Sequence, residues 1–209
     1  MFTGIIKDIG EIVELDYQQG DLNLKIKTNL ILENIDIGDS ICCDGICLTA
    51  VSLSKNTFNA ELSKETLSVT TSSSWQKGKK INIEKSLSLG EQIGGHLVSG
   101  HVDCLGVLKK KETIKGSIRL DFEVPIELIK YISKKGSVAI NGVSLTVNSV
   151  NKNLFSVNII SHTLKNTTLS FLDLNDKVNI EVDTIARYAV NAAECYIKEK
   201  WYEWKRKII

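Results

Sequence analysis

Cys47, Ser144 and His101 have the side-chain types that carry covalent or proton-transfer chemistry, and each gains meaning from its counterpart elsewhere in the chain. Asp44-Gly45-Ile46-Cys47-Leu48-Thr49 returns 97 positions later as Asn141-Gly142-Val143-Ser144-Leu145-Thr146. In this register Cys47 stands against Ser144 and Asp44 against Asn141. A weaker match of the opening residues sets Ile5 against His101. A thiol can add to an electron-poor carbon, and histidine is the side chain that exchanges a proton near neutrality. Two similar pockets with different reactive groups suit a reaction between two copies of one molecule. Each residue also has a plainer reading, since a lone cysteine in an apolar strand is commonly a small core residue and a histidine can be structural.

The repeat sets the architecture that must hold these groups. Residues 40–84 align with 137–181 without a gap and are about one third identical, with Thr49/Thr146, Thr66/Thr163, Asn82/Asn179 and Glu84/Glu181 among the identical pairs. Within the first copy, Leu22, Leu24 and Ile26 alternate with polar residues, the period of a half-buried strand. Short strands are expected at 41–43, 46–48, 58–62 and 81–83, with a helical turn in 30–35. The second copy repeats them at 118–124, 138–140, 143–147, 155–159 and 178–182. Pro125 is expected to open a short helix over 126–132. Lys109-Lys110-Lys111 reads as a solvated hairpin tip. Many short strands separated by Gly, Asn, Asp and Ser indicate an all-β chain of two small barrels. The boundary falls in 86–95, giving barrels at 1–90 and 97–185. Over 186–209, Val190, Ala193, Ile197, Trp201, Trp204 and Ile208 form an apolar helical stripe without a counterpart in the first half. That stripe either packs back on the barrels or forms an oligomer seam.

Composition narrows the classes of function. With a net charge of +1 and 6% aromatic residues, the chain lacks the basic, aromatic-rich face of a nucleic-acid binder. It has no eighteen-residue apolar run and no signal-peptide pattern at Met1, so no membrane partner is expected and a cytoplasmic location is. Five cysteines are an odd number, so no disulfide framework is expected. Cys42, Cys43, Cys47, His101 and Cys104 lack paired zinc-ligand spacing, and no metal is assigned.

Taken together, Met1-Phe2-Thr3-Gly4-Ile5, the two Gly-x-[Cys/Ser]-Leu-Thr copies, Lys64-Glu65-Thr66-Leu67 and Gly94-Gly95-His96-Leu97-Val98-Ser99-Gly100-His101 resemble riboflavin synthase over residues 1–186. The resemblance implies two homologous six-stranded Greek-key β-barrels in tandem plus a C-terminal α-helix that joins three subunits. It implies that two molecules of 6,7-dimethyl-8-ribityllumazine exchange a four-carbon unit without a cofactor. It also implies possible association with lumazine synthase. Gly4, Ile5 and Ile6, with Cys47, Leu48 and Thr49 and with Glu61, Leu62, Ser63, Lys64, Glu65 and Thr66, are then expected to form one lumazine pocket. Gly100, His101 and Val102, with Lys135, Asn141, Ser144, Leu145 and Thr146 and with Asn158, Ile159, Ile160, Ser161, His162 and Thr163, are expected to form the second. Ser40, Cys47 and His101 match positions associated with catalysis. Asp44 and Asn141 stand in the reverse of the family's usual order. A non-catalytic lumazine- or flavin-binding protein of the same fold is the alternative.

Overall fold

The computed structural model describes residues 1–18 and 20–208, with 202–208 as backbone only. Strands β1 (Asp8–Gln18), β2 (Asp21–Lys27), β3 (Ser40–Cys43), β4 (Ile46–Leu53), β5 (Thr57–Leu62) and β6 (Lys80–Lys85) close a barrel in the order β1-β2-β5-β4-β3-β6. Strands β7 (Cys104–Ile114), β8 (Ser117–Glu123), β9 (Ser137–Ile140), β10 (Val143–Asn151), β11 (Leu154–Ile160) and β12 (Lys177–Val182) close a second barrel with the same circular order. All pairs are antiparallel. Three consecutive strands with the preceding one returned beside the last make a Greek key in each half.

Alternation does the positioning. Leu22, Leu24 and Ile26 of β2 meet Leu48, Phe58 and Ile83 in the first core, while Phe122 stacks on Phe155 at 5.8 Å in the second. Side chains between these inward residues necessarily face out, so Leu48 and Leu145 are core residues and Cys47, Thr49, Ser144 and Thr146 are not. Each such buried apolar side chain contributes roughly 1.5–3 kcal/mol. Short helices α1 (Lys64–Val69) and α2 (Ser161–Asn166) follow β5 and β11.

Three expectations need correction. The three lysines 109–111 lie inside β7, not at a tip, and the turn comes at Gly116. Beyond the bulge at Leu108/Lys110, β7 is paired to β8 alone and is exposed on both faces, so neither has to be apolar. After Pro125 the chain makes a turn and one 3-10 turn, Ile129–Tyr131, not a helix over 126–132. Val124 and Ile132 both return to the core, and the short span between them holds only turns closed by i→i+3 bonds such as Leu128 N–H to Pro125 O. The C-terminal helix α3 (Thr184–Ile208) starts ahead of 186, because Asp183 accepts the Ile185 N–H and caps it.

The barrels pack about an internal two-fold. Phe2 and Val98 form an antiparallel bridge on that axis, in a small cluster with Cys42 and Ala139. Gly45 and Gly142 meet back to back with φ of 82° and 78°, and a Cβ on Gly45 would lie 2.7 Å from the Gly142 nitrogen. Asn82 Nδ2 donates to the Asn141 carbonyl at 2.9 Å, and Asn179 Nδ2 to the Asp44 carbonyl at 2.8 Å. The amide oxygens of Asn82 and Asn179 accept the N–H groups of Thr168 and Thr71.

One atom pair breaks this symmetry. Asp44 Oδ1 accepts the Asn82 N–H where Asn141 Oδ1 accepts that of Asn179. Burial pushes the Asp44 carboxyl from 3.8 up to about 7, against the opposing hydrogen bond from Asn82 and the influence of Lys79 and Thr168. Below about 4 both folded and unfolded chains hold the proton, whereas between about 4 and 7 only the folded chain does. Stability therefore falls as pH rises across that window, by a total on the order of 4 kcal/mol. Asp44→Asn is expected to remove this fall and to be the more stable protein at pH 8, since Asn141 already fills the mirror position with a neutral amide. Urea unfolding at pH 4 and pH 8 checks it, and a variant that keeps the wild-type pH dependence would sink the assignment.

Candidate active site at the seam between the barrels

The segments leading into the two barrels cross over. Gly4 turns its carbonyl toward the second barrel and accepts the Ser144 N–H at 2.9 Å; Gly100 does the same toward the first and accepts the Cys47 N–H at 2.8 Å. Both glycines have positive φ, 75° and 80°, and a Cβ on Gly100 would lie 2.6 Å from the Cys47 Cβ. Each pocket is therefore walled by a segment from the opposite half. This corrects the expectation that Gly4–Ile6 join Cys47 and that Gly100–Val102 join Ser144.

The first pocket is a cavity of about 210 Å³ lined by residues including Cys47, Glu65, Thr66, Val69, Gly100, His101 and Val102. The α1 residues reach it because Ser63 caps that helix, accepting the Thr66 N–H, and turns the chain across the pocket mouth. Cys47 is half-buried, while burial pushes the thiols of Cys42 and Cys43 well up and keeps them inert. A thiol and an imidazole thus share one pocket.

The matching position at Ser144 is covered: Gly4 lies against it on one side and Gly95-His96 are laid over it. His96 Nδ1 lies 2.6 Å from Ser144 Oγ, and its Nε2 is buried without a protein partner. Burial lowers the His96 pKa, opposed by Asp183, so the ring is held toward its neutral form. Beyond Ile6, His162 of α2 lines an adjoining cavity of about 420 Å³. The sequence reading left His96 out of the site, although it stands in the glycine-rich run.

The remaining expected site residues divide clearly. Thr49, Glu61, Lys64 and Thr146 are exposed on the outer faces, and Ser40 is half-buried opposite Thr49 in the β3–β4 pair. Leu62 and Ile159 are core residues. Asn158, Ile160, Ser161 and His162 are exposed and Thr163 half-buried, at the β11–α2 junction. Lys135 sits with φ 70° in the turn before β9, its N–H on the Val147 carbonyl, and lines neither cavity. Asn141 is a correction: it is 6% exposed, and its side-chain oxygen is taken by the Asn179 N–H on the two-fold axis, so it faces neither pocket. Asp44 is held there too, so its reversal with Asn141 changes the seam and leaves the pockets' charge alone. Among the described residues no three His, Cys, Asp or Glu side chains are placed to hold a metal ion.

Glu84 and Glu181, in the last strands of the barrels, also escaped the sequence reading of the site. Glu84 accepts the N–H groups of Thr3 and Gly4 and the Thr3 hydroxyl, at 2.8, 3.0 and 2.6 Å. Glu181 accepts the N–H groups of Ser99, Gly100 and His101 at 2.6, 2.8 and 3.1 Å. Burial raises both carboxyls, partly offset by these donors. Their identity across the repeat was the available signal.

Fold and seam define a protein of two tandem barrels about an internal two-fold, with a thiol and an imidazole sharing a cavity at the seam. The family model for the lumazine binding domain matches residues 3–86 and again 99–183. Riboflavin synthase of Brucella abortus is 46% identical over 199 residues, covering 93% of this chain and 98% of that protein. Those of Photobacterium leiognathi and Bacillus subtilis are 42% and 36% identical, each covering 90% of this chain and 87% of theirs. The chain belongs to the riboflavin synthase family. Crystal structures of LumP with riboflavin and with 6,7-dimethyl-8-(1'-D-ribityl) lumazine share the fold at TM-scores of 0.80 and 0.78, with 22% and 21% identity. Each covers 87% of this chain and 99% of that one.

Proposed function

We propose that the two seam pockets each hold a molecule of 6,7-dimethyl-8-ribityllumazine and that four carbons pass from one to the other. The products are riboflavin and 5-amino-6-ribitylaminouracil. The observation that carries this reading is the pairing of two like frameworks, Gly100 against Cys47 and Gly4 against Ser144, that hold unlike reactive groups. A dismutation of one compound needs both properties: similar recognition of both molecules, and different treatment of each. No outside electrons are required, because one molecule gains the carbons the other loses.

The ring of this lumazine is electron-poor, so a methyl group on it can give a proton to His101. The resulting carbanion can attack the second ring, which is also open to addition by Cys47, a hydroxyl or water. Alignment of the two rings can supply roughly 7–11 kcal/mol of the barrier. Within one chain the antiparallel Phe2–Val98 bridge carries Gly4 and Gly100 away from each other. That divergence supports a site completed between subunits, with a pocket of one chain meeting the unlike pocket of the next in a homotrimer joined through α3. A cytoplasmic location and association with lumazine synthase, which would deliver the substrate, belong to the same reading.

Mixing the purified chain with the lumazine and recording a flavin absorption band tests the activity, with two lumazines consumed per riboflavin. A chain that binds lumazine and forms no flavin would return the non-catalytic alternative. Cys47→Ser is expected to fold, because Ser144 occupies the mirror position, and to bind lumazine while turning over about tenfold more slowly, near 1.4 kcal/mol of barrier. Unchanged turnover by the folded variant would take the thiol out of the reaction.

A further inference from the structure

We infer that Glu84 and Glu181 are positioning residues, each holding the crossed segment that walls one pocket, so that each carboxylate governs one pocket and not the other. The inference rests on the two-pocket reading above. Both side chains are nearly sealed, 2% and 3% exposed. A sealed carboxylate is costly unless hydrogen bonds satisfy it. Here the donors come from short leading segments that lie outside the strands of either barrel. Glu181 takes three successive N–H groups, Ser99 to His101. These bonds fix the Gly100 peptide plane, which aims its carbonyl at the Cys47 N–H, and anchor the backbone from which the His101 imidazole projects. Glu84 does the same for Thr3 and Gly4 facing Ser144.

The copies differ in their last bond. His101 donates directly to Glu181, whereas the Ile5 N–H goes to Thr3 Oγ1 at 3.3 Å, and that hydroxyl in turn donates to Glu84. The residue that bears the imidazole is thus held by its carboxylate directly, and its counterpart Ile5 only through a hydroxyl. Neither carboxylate is a catalytic group; both act through the backbone of their neighbours.

Glutamine at either position has one oxygen, so whichever way it turns, an NH2 faces an N–H donor on one side. In ligand-free, full-length Glu181→Gln the Gly100 wall loosens over Cys47, and alkylation of Cys47 by iodoacetamide, read on its peptide by mass spectrometry, is expected to quicken about tenfold. In Glu84→Gln that rate is expected to match wild type. Both variants are expected to lose at least tenfold in kcat, with thermal midpoints showing them folded at the assay temperature. Equal changes in Cys47 alkylation in both variants would show a general structural role and overturn the inference, as would wild-type kcat in either. If Glu181→Gln does not fold, Glu181→Asp keeps the charge but is too short to span all three donors, and the same quickening is expected. The alkylation arm needs no lumazine, so a wild-type protein that makes no flavin would defeat the functional reading and leave the clasp separately decided.

Discussion

In the His101→Gln variant, turnover is expected to fall by roughly 10²–10⁴-fold, the range for removing a general acid or base. Lumazine binding is expected to hold. The imidazole is on the exposed side of the Gly100 wall, in the pocket that also holds Cys47. Its backbone is fixed independently of the side chain through Glu181, so the substitution leaves the wall standing. Glutamine keeps a comparable reach and a hydrogen-bonding end, and cannot carry the proton. The loss would therefore fall on the step in which a ring methyl group is deprotonated. That step can be followed without turnover, by exchange of the lumazine methyl protons in deuterated water. A folded variant that exchanges them at the wild-type rate would remove His101 as the base.

Deleting everything after Arg187 is expected to give a folded monomer that binds lumazine and loses most of its turnover. Both barrels close before that point, and Arg187 Nη2 still reaches Asp103 Oδ1 at 2.6 Å, so the cut spares the tie between helix and barrel. What it removes is a helix tied to its own chain through Glu194 on Lys130 at 2.6 Å, with much of its described apolar surface left open. Ile185, just before the cut, is 69% exposed, and beyond it Tyr188, Tyr196, Ile197 and Trp201 are 69%, 61%, 65% and 48% exposed. Such a face suits the subunit contact proposed above. If the site is completed between subunits as proposed, residual activity should rise more than linearly with protein concentration, because chance encounters would replace the seam. Sedimentation and an activity series over concentration check this. A truncated monomer with full activity per chain at low concentration would show that one subunit suffices.

The sequence made ten of the twelve strands legible through alternation, and the two it hid are β1 and β7, the leading strand of each barrel. Both carry a bulge, at Ile12/Glu14 and Leu108/Lys110, which breaks the two-residue period, and beyond it both are largely exposed. The six-stranded count came from the family resemblance instead. For the site, Cys47, Ser144 and His101 stood out by type and repeat position. Their grouping was not legible, because the crossing of Gly4 and Gly100 depends on how the barrels dock, which no local pattern records. Asn141 was misplaced for the same reason: its adjacency to Ser144 in sequence hides a turn that points it to the axis. Of the apolar stripe, Ile197 and Trp201 face solvent within one chain, while the side chains of Trp204 and Ile208 lie outside the described residues.

The crossing also dictates when the protein becomes competent during its synthesis. Residues 2–6 leave the ribosome well before the Ser144 they wall, which is made about 140 residues later. The first barrel can close on its own strands, but its Cys47 pocket still lacks a wall until 99–102 arrive, and its leading segment has nothing to cover. Because each segment is seated against the opposite barrel, neither Cys47 nor Ser144 gains its wall until the two barrels dock.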